Sequence, residues 1–174
     1  MKNSLILCID LQEKLVKIAK ENKTIENAVK FLQAVSLLDM NVILTEQYPK
    51  GLGSTIAEIL KIKQFKIFEK ETFSAFGSQE LKNELAKINP KNIILFGIET
   101  HICVYQTAID LMKQGYNVYI VADCCASRSE INYKTSLELM KQQGIYITTL
   151  EIVLFEILKS SKHPAFKEIQ TIIK

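Results

Sequence analysis

Arginine is all but missing from this chain: Arg128 is the only one, so lysine carries nearly all the positive charge behind a net +3. Those lysines are scattered, with no basic block interleaved with aromatics of the kind a nucleic-acid surface needs. A lysine-rich exterior of this sort is a solvated face, and no nucleic-acid partner is expected. Histidine is nearly absent too, with only His101 and His163. No cysteine or histidine is spaced to share a metal with another, so no metal and no other cofactor is expected. Long apolar runs are also lacking. The N-terminal stretch "MKNSLILCIDLQ" has a short apolar run before Asp10 and no small-residue cleavage site. It falls short of a signal peptide or membrane span, so no membrane partner is expected. The four cysteines (Cys8, Cys103, Cys124 and Cys125) form no disulfide framework, and a bridge between the adjacent Cys124 and Cys125 would be strained. Unpaired thiols without an export signal lead to the expectation of a reducing, cytoplasmic setting.

What is present is ordinary in bulk and regular in order. The chain has 174 residues, 48% hydrophobic and 24% charged, enough to bury one full core. Six short runs rich in β-branched residues, 4–10, 41–46, 65–70, 92–98, 117–123 and 145–150, read as strands. Several are continuously apolar, as strands covered on both faces must be. Helical patterns separate them at 24–38, 54–61, 78–88, 101–114 and 131–143, with "EIVLFEILKSS" and "AFKEIQTIIK" adding helix after the last strand. No linker, repeat or low-complexity segment interrupts the alternation. It predicts a single α/β domain over 1–174, with a three-layer, doubly wound fold and a six-stranded parallel sheet flanked by helices.

In such sheets ligands bind at the carboxyl ends of the strands. Asp10 closes the first predicted strand, Glu46 the second, Lys70 the third and Asp123 the fifth, while Cys103 begins the helix after the fourth. A thiol is a strong nucleophile only as thiolate. The unpaired N–H groups at a helix start and a nearby Lys70 ammonium would both favour that anion. Asp10 is placed to move the thiol proton as general base and acid. Each residue also has a plainer reading: Cys103 as a small core residue, Asp10 as a cap, Lys70 as an exposed strand end. Their shared edge is what makes the set specific.

The segments "LILCIDLQ", "FEKETFSAF", "GIETHICVYQTAIDLMKQGYNVYIVADCCASR" and "VLFEILKSSKHPAFKEIQTIIK" come in the order and spacing of the isochorismatase-like cysteine hydrolases, and the whole chain resembles that superfamily. The likeness is strongest to its metal-free, isochorismatase domain-containing branch. The resemblance implies a hydrolase with Asp10 as general base, Lys70 as the residue supporting the thiolate, and Cys103 as the nucleophile on a substrate carbonyl. It also implies a cis peptide at Ile98–Glu99, aiming the backbone N–H groups of Glu99 and Cys103 at an oxyanion. A homo-oligomer is expected, with the apolar "VLFEIL" and the tail suited to an interface.

The metal-binding relatives place an aspartate and two histidines after the second strand, where this chain has "TEQYPKGLGST". Glu46 is the one strong ligand type there, and it is expected to meet either substrate or Lys70. Retention of the cysteine set tilts the expected chemistry toward a small amide or related C–N substrate. Gln12, Gln47, Phe73 and Phe76 are the candidates for lining the pocket, although the two phenylalanines equally suit core anchors. Arg128 is expected to cap a helix or tie down a loop. A haloacid dehalogenase-type phosphatase would need an aspartate at the position of Gln12. The serious rival is a binding or scaffolding protein that has kept the fold.

Overall fold

Two central strands explain how this sequence becomes a sheet. In β1 (Ser4–Ile9) and β4 (Asn92–Ile98) nearly every side chain is buried, as their unbroken apolar runs require. They pair in parallel, from Ser4 against Asn92 to Ile9 against Gly97. On one side follow β2 (Asn41–Gln47) and β3 (Lys66–Lys70), and on the other β5 (Asn117–Ala126) and β6 (Tyr146–Thr148). The computed structural model describes residues 3–19 and 22–174; Met1, Lys2, Lys20 and Glu21 lie outside them. All six strands are parallel, in the order β3-β2-β1-β4-β5-β6. The order therefore reverses beside β1, which is where the ligand rule places a site.

Helices join the strands: α1 (Glu13–Ala19), α2 (Asn22–Leu37), short α3 (Pro49–Leu52) and α4 (Ala57–Leu60), α5 (Gln79–Ile88), α6 (Tyr105–Lys113), α7 (Glu130–Gln142), α8 (Leu150–Leu158) and α9 (Phe166–Ile173). The amphipathic α2 packs on β5 and also meets α8 and α9, while α6 meets α7. Phe31 of α2 and Phe96 of β4, both fully buried, meet edge to face with centroids 5.4 Å apart. None of the described helices is long and apolar enough to cross a membrane.

Three departures from the sequence reading have local causes. A separate helix, α1, precedes α2; only its Ala19 is buried, so its periodicity is weak. The expected helix at 54–61 is only Ala57–Leu60, and a separate short helix, Pro49–Leu52, precedes it and ends at Gly53 with φ +83°. The fifth strand does not stop at Asp123 but runs on to Ala126. Asp123 is tolerated inside it because its Oδ1 accepts the Leu150 N–H at the start of α8, 2.9 Å away.

Between Leu95 and Gly97 the β4–β5 register shifts, so Leu95 faces Ile120 whereas Gly97 faces Cys125. Gly97 has φ +133°, and a Cβ there would stand 2.0 Å from the Ile9 carbonyl oxygen. The glycine thus lets β1 close against β4 directly below the corner that carries Cys103. Gly97→Ala should destabilise the protein by about 3 kcal/mol, read as a lowered urea midpoint. A wild-type midpoint would contradict this reading.

Candidate active site

Asp10 stands one residue beyond β1, with φ +52°, a left-handed conformation that aspartate tolerates better than most residues. Its backbone N–H donates to Thr45 O at 3.2 Å, and its carbonyl accepts from Gln12 N at 2.8 Å. This pinned corner turns the carboxylate into the protein. Thr45 of β2 donates its hydroxyl to Asp10 Oδ1 at 2.7 Å. Lys70, the last residue of β3, places Nζ 2.7 Å from Asp10 Oδ2, and these side chains are 1% and 0% exposed. That contact is ionic, its angles falling short of a hydrogen bond, so Oδ2 keeps lone-pair capacity.

Cys103 lies in the single π-helical turn Thr100–Val104 that leads from β4 into α6. The residue is 6% exposed, and its thiol feels both Asp10 and Lys70 through charge and through hydrogen bonding. Three residues far apart along the chain therefore meet at one sheet edge. The peptide bond Ile98–Glu99 is cis.

The electrostatics differ from the sequence expectation of a resting thiolate. Burial, reinforced by the negative Asp10, pushes the Cys103 thiol up to about 12, and the counter-pull of Lys70 is the smaller effect. The resting site thus holds a thiol beside a carboxylate–ammonium pair. The other cysteines are also held as thiols: burial raises Cys8 and Cys124 well above the ordinary range and Cys125 to about 12.

The remaining candidates fall in other places. Gln12 is fully buried, and its amide is committed to backbone groups of Gln47 and Gly53. Gln47 accepts from Lys70 Nζ at 2.6 Å and donates to Glu71 O at 2.7 Å. The Phe73 ring is 55% exposed, while its carbonyl accepts from Lys70 at 3.2 Å. Phe76 is half-buried under the Lys82 ammonium, 5.1 Å from the ring centroid. Glu46 meets neither Lys70 nor open space: its Oε1 accepts from Thr55 N at 2.6 Å and Thr55 Oγ1 at 2.7 Å. Glu99 Oε1 accepts from the Arg128 backbone N–H at 3.0 Å, with Arg128 Nε at 3.6 Å, so Arg128 ties down the loop after β5. His101 Nδ1 and Ser127 Oγ are 3.0 Å apart, and His163 Nδ1 accepts from Ala165 N. Among the described residues no group of three or more His, Cys, Asp or Glu is arranged to hold a metal.

A cleft of about 390 Å³ opens beside Lys70, walled in part by Tyr48, Lys50, Glu71 and Thr72. A second, of about 480 Å³, lies past the end of β5, against Asp123, Cys125, Arg128 and Tyr133. Cys103 and Asp10 line neither. Two residues that the sequence reading passed over matter here. Thr45 is a polar residue within an apolar strand, which is the signal that marks it. Tyr48 precedes a proline and has a left-handed backbone, φ 37°, with its N–H on Lys70 O at 3.0 Å.

Known proteins share both sequence and fold with this chain. The Isochorismatase domain model matches residues 4–152. Isochorismatase domain-containing protein 2 of Xenopus laevis is 42% identical over 174 residues, which cover 99% of this chain and 84% of that protein. A structure described as the MAR1 ribonuclease of Caenorhabditis elegans superposes with TM-score 0.91 at 36% identity, covering 98% of this chain and 89% of that one. The Escherichia coli YcaC gene product, described as an octameric hydrolase of unknown specificity, superposes with TM-score 0.88 at 19% identity over 97% and 92% of the two chains. At that identity the likeness is one of fold. The chain belongs to the isochorismatase family and has its six-stranded, isochorismatase-like hydrolase fold.

Proposed function

We propose that this protein is a cysteine-dependent hydrolase that opens a small amide or related C–N bond through a thioester on Cys103. The observation that carries the reading is the buried Asp10–Lys70 contact of 2.7 Å within hydrogen-bond reach of the thiol. Asp10 takes the thiol proton as sulfur attacks the carbonyl carbon. The negative charge leaves the carboxylate through sulfur and, as the C–S bond forms, passes to the carbonyl oxygen, while Lys70 keeps its own charge throughout. The carbonyl electrons become an oxyanion, for which the backbone N–H groups of Glu99 and Cys103 are the proposed donors. Collapse expels the amine, which takes the proton from Asp10. Water, deprotonated by Asp10, then attacks the thioester carbonyl; the acid leaves, and the departing sulfur takes the proton back from Asp10. The balance is amide plus water to amine plus carboxylic acid, and no cofactor enters it.

The cleft beside Lys70 has the volume of a small-molecule pocket, and since Cys103 and Asp10 do not line it, it is proposed only as the approach to the site. A second reading, hydrolysis of RNA, is favoured by the description of the Caenorhabditis elegans neighbour. A nucleophile that is 6% exposed favours a compact substrate over a polynucleotide. Homo-oligomerisation is part of the proposal, supported by the octamer described for the Escherichia coli protein. Ile152 and Phe155, 57% and 43% exposed on α8, are its proposed contacts. A cytoplasmic setting suits four cysteines that all remain free thiols.

Three results are expected. In a screen of small amides, ureido compounds, nicotinamide and RNA, turnover should appear on a small C–N substrate and fall by about 10⁴-fold in Cys103→Ala. Turnover that survives this substitution contradicts the covalent route, cleavage of RNA alone selects the second reading, and no turnover of any compound favours a scaffolding role. Iodoacetamide should label Cys103 ahead of Cys8, Cys124 and Cys125, with a rate climbing about tenfold per pH unit between 7 and 10, because the thiol titrates near 12. A rate flat across that range would mean a thiolate at rest. In Asp10→Asn the signs separate: labelling of Cys103 should quicken, since burial raises the thiol most and the carboxylate adds to it, while turnover is lost with the base. Slower labelling would contradict the electrostatic account.

A further inference from the structure

The Lys70 ammonium has three protons and a crowded shell. Gln47 Oε1 is its shortest contact at 2.6 Å, Asp10 Oδ2 stands at 2.7 Å, and the carbonyls of Phe73 and Thr72 share the remaining direction at 3.2 and 3.3 Å. The amide orientation at residue 47 is forced, because an ammonium only donates and so must face the carbonyl oxygen. The opposite end is fixed as well, with Nε2 donating to Glu71 O at 2.7 Å.

The backbone that carries this amide is gripped by a second one. Gln12 Oε1 accepts from Gln47 N at 2.7 Å, and Gln12 Nε2 donates to Gln47 O at 3.0 Å and to Gly53 O at 2.7 Å. Gln12 thus acts as a strand-like partner for the last residue of β2, and it sits two residues beyond Asp10. One chain of hydrogen bonds runs from Gln12 through the backbone and amide of Gln47 to Lys70, whose ammonium then makes the ionic contact with the Asp10 carboxylate. Neither side chain is needed for sheet pairing there, since Gln47 faces Lys70 in the regular β2–β3 ladder and Tyr48 N already bonds to Lys70 O.

We infer that Gln47, clamped by Gln12, is the positioning residue that holds the Lys70 charge against the Cys103 thiol. This rests on the Asp10/Lys70/Cys103 reading above and gives the two glutamines a task other than substrate contact. Replacing the amide oxygen frees the ammonium to swing toward the cleft that Lys70 borders, and the thiol loses the one nearby charge that lowers its titration.

The test is placed on half-buried Gln47 rather than fully buried Gln12, and its readout needs no substrate. Iodoacetamide labelling of Cys103 is timed at pH 8 and 9 in wild type, Gln47→Met, Gln47→Leu and Lys70→Met, with melting curves for each. Gln47→Met keeps the volume without the acceptor, and Gln47→Leu removes the acceptor with a shorter, branched side chain. Both should slow labelling about tenfold, the equivalent of one unit of thiol titration, at near-wild-type melting temperature. If Gln47→Met melts early, Gln47→Leu carries the comparison. Wild-type labelling in the Gln47 variants with slow labelling in Lys70→Met overturns the positioning role and leaves the triad intact. Wild-type labelling in Lys70→Met itself overturns the triad reading beneath it.

Discussion

A carboxylate and an ammonium sit 2.7 Å apart with side chains essentially closed to solvent, and the rest of the site is arranged around that contact. Taking two charges out of water costs several kcal/mol per ion, so mutual attraction alone does not secure such a pair. The compensation is visible around it. Thr45 donates to one carboxylate oxygen, and Gln47 with the carbonyls of Thr72 and Phe73 takes the remaining ammonium protons. These partners come from β2 and from the segment after β3, so the pair can exist only where three strands end at one edge. The strand order makes that edge, and Gly97 lets β1 and β4 approach closely enough to carry it.

The thiol gains its character from being third in this arrangement. Asp10 and Lys70 oppose one another at sulfur, and burial tips the balance toward the protonated form. In the mechanism proposed above, such a site stores its nucleophile neutral and releases it by moving a proton a short distance to an adjacent carboxylate. This differs from cysteine sites built to hold a standing thiolate, which need an unopposed cation or helix dipole.

Much of this was legible from the residues alone. Runs rich in β-branched residues marked the six strands, and several were continuously apolar, because a strand buried on both faces has no room for alternation. The rule about strand ends then drew Asp10, Lys70 and Cys103 to one edge, and the family resemblance extends over 4–152. What was not legible depended on partners distant in sequence. Glu46 is a strand-end carboxylate by pattern, yet Thr55 claims it. Gln12 and Gln47 look like pocket residues until their amides are seen turned inward, onto backbone and onto Lys70. Asp123 reads as a strand terminator, and only the N–H of Leu150 makes it acceptable within β5. Lys70 does lower the Cys103 thiol, as its place at the sheet edge implies, yet burial outweighs it: a helix start and a lysine are local signals, whereas desolvation is a property of the whole fold.

The most direct measurement is chemical trapping of the covalent intermediate. The protein is mixed with p-nitrophenyl acetate, quenched in acid, digested and mapped by mass spectrometry. The account predicts a burst of about one equivalent of p-nitrophenolate and an acetyl group on the peptide carrying Cys103. Acetylation confined to surface lysines, or a burst unchanged in Cys103→Ala, would contradict it.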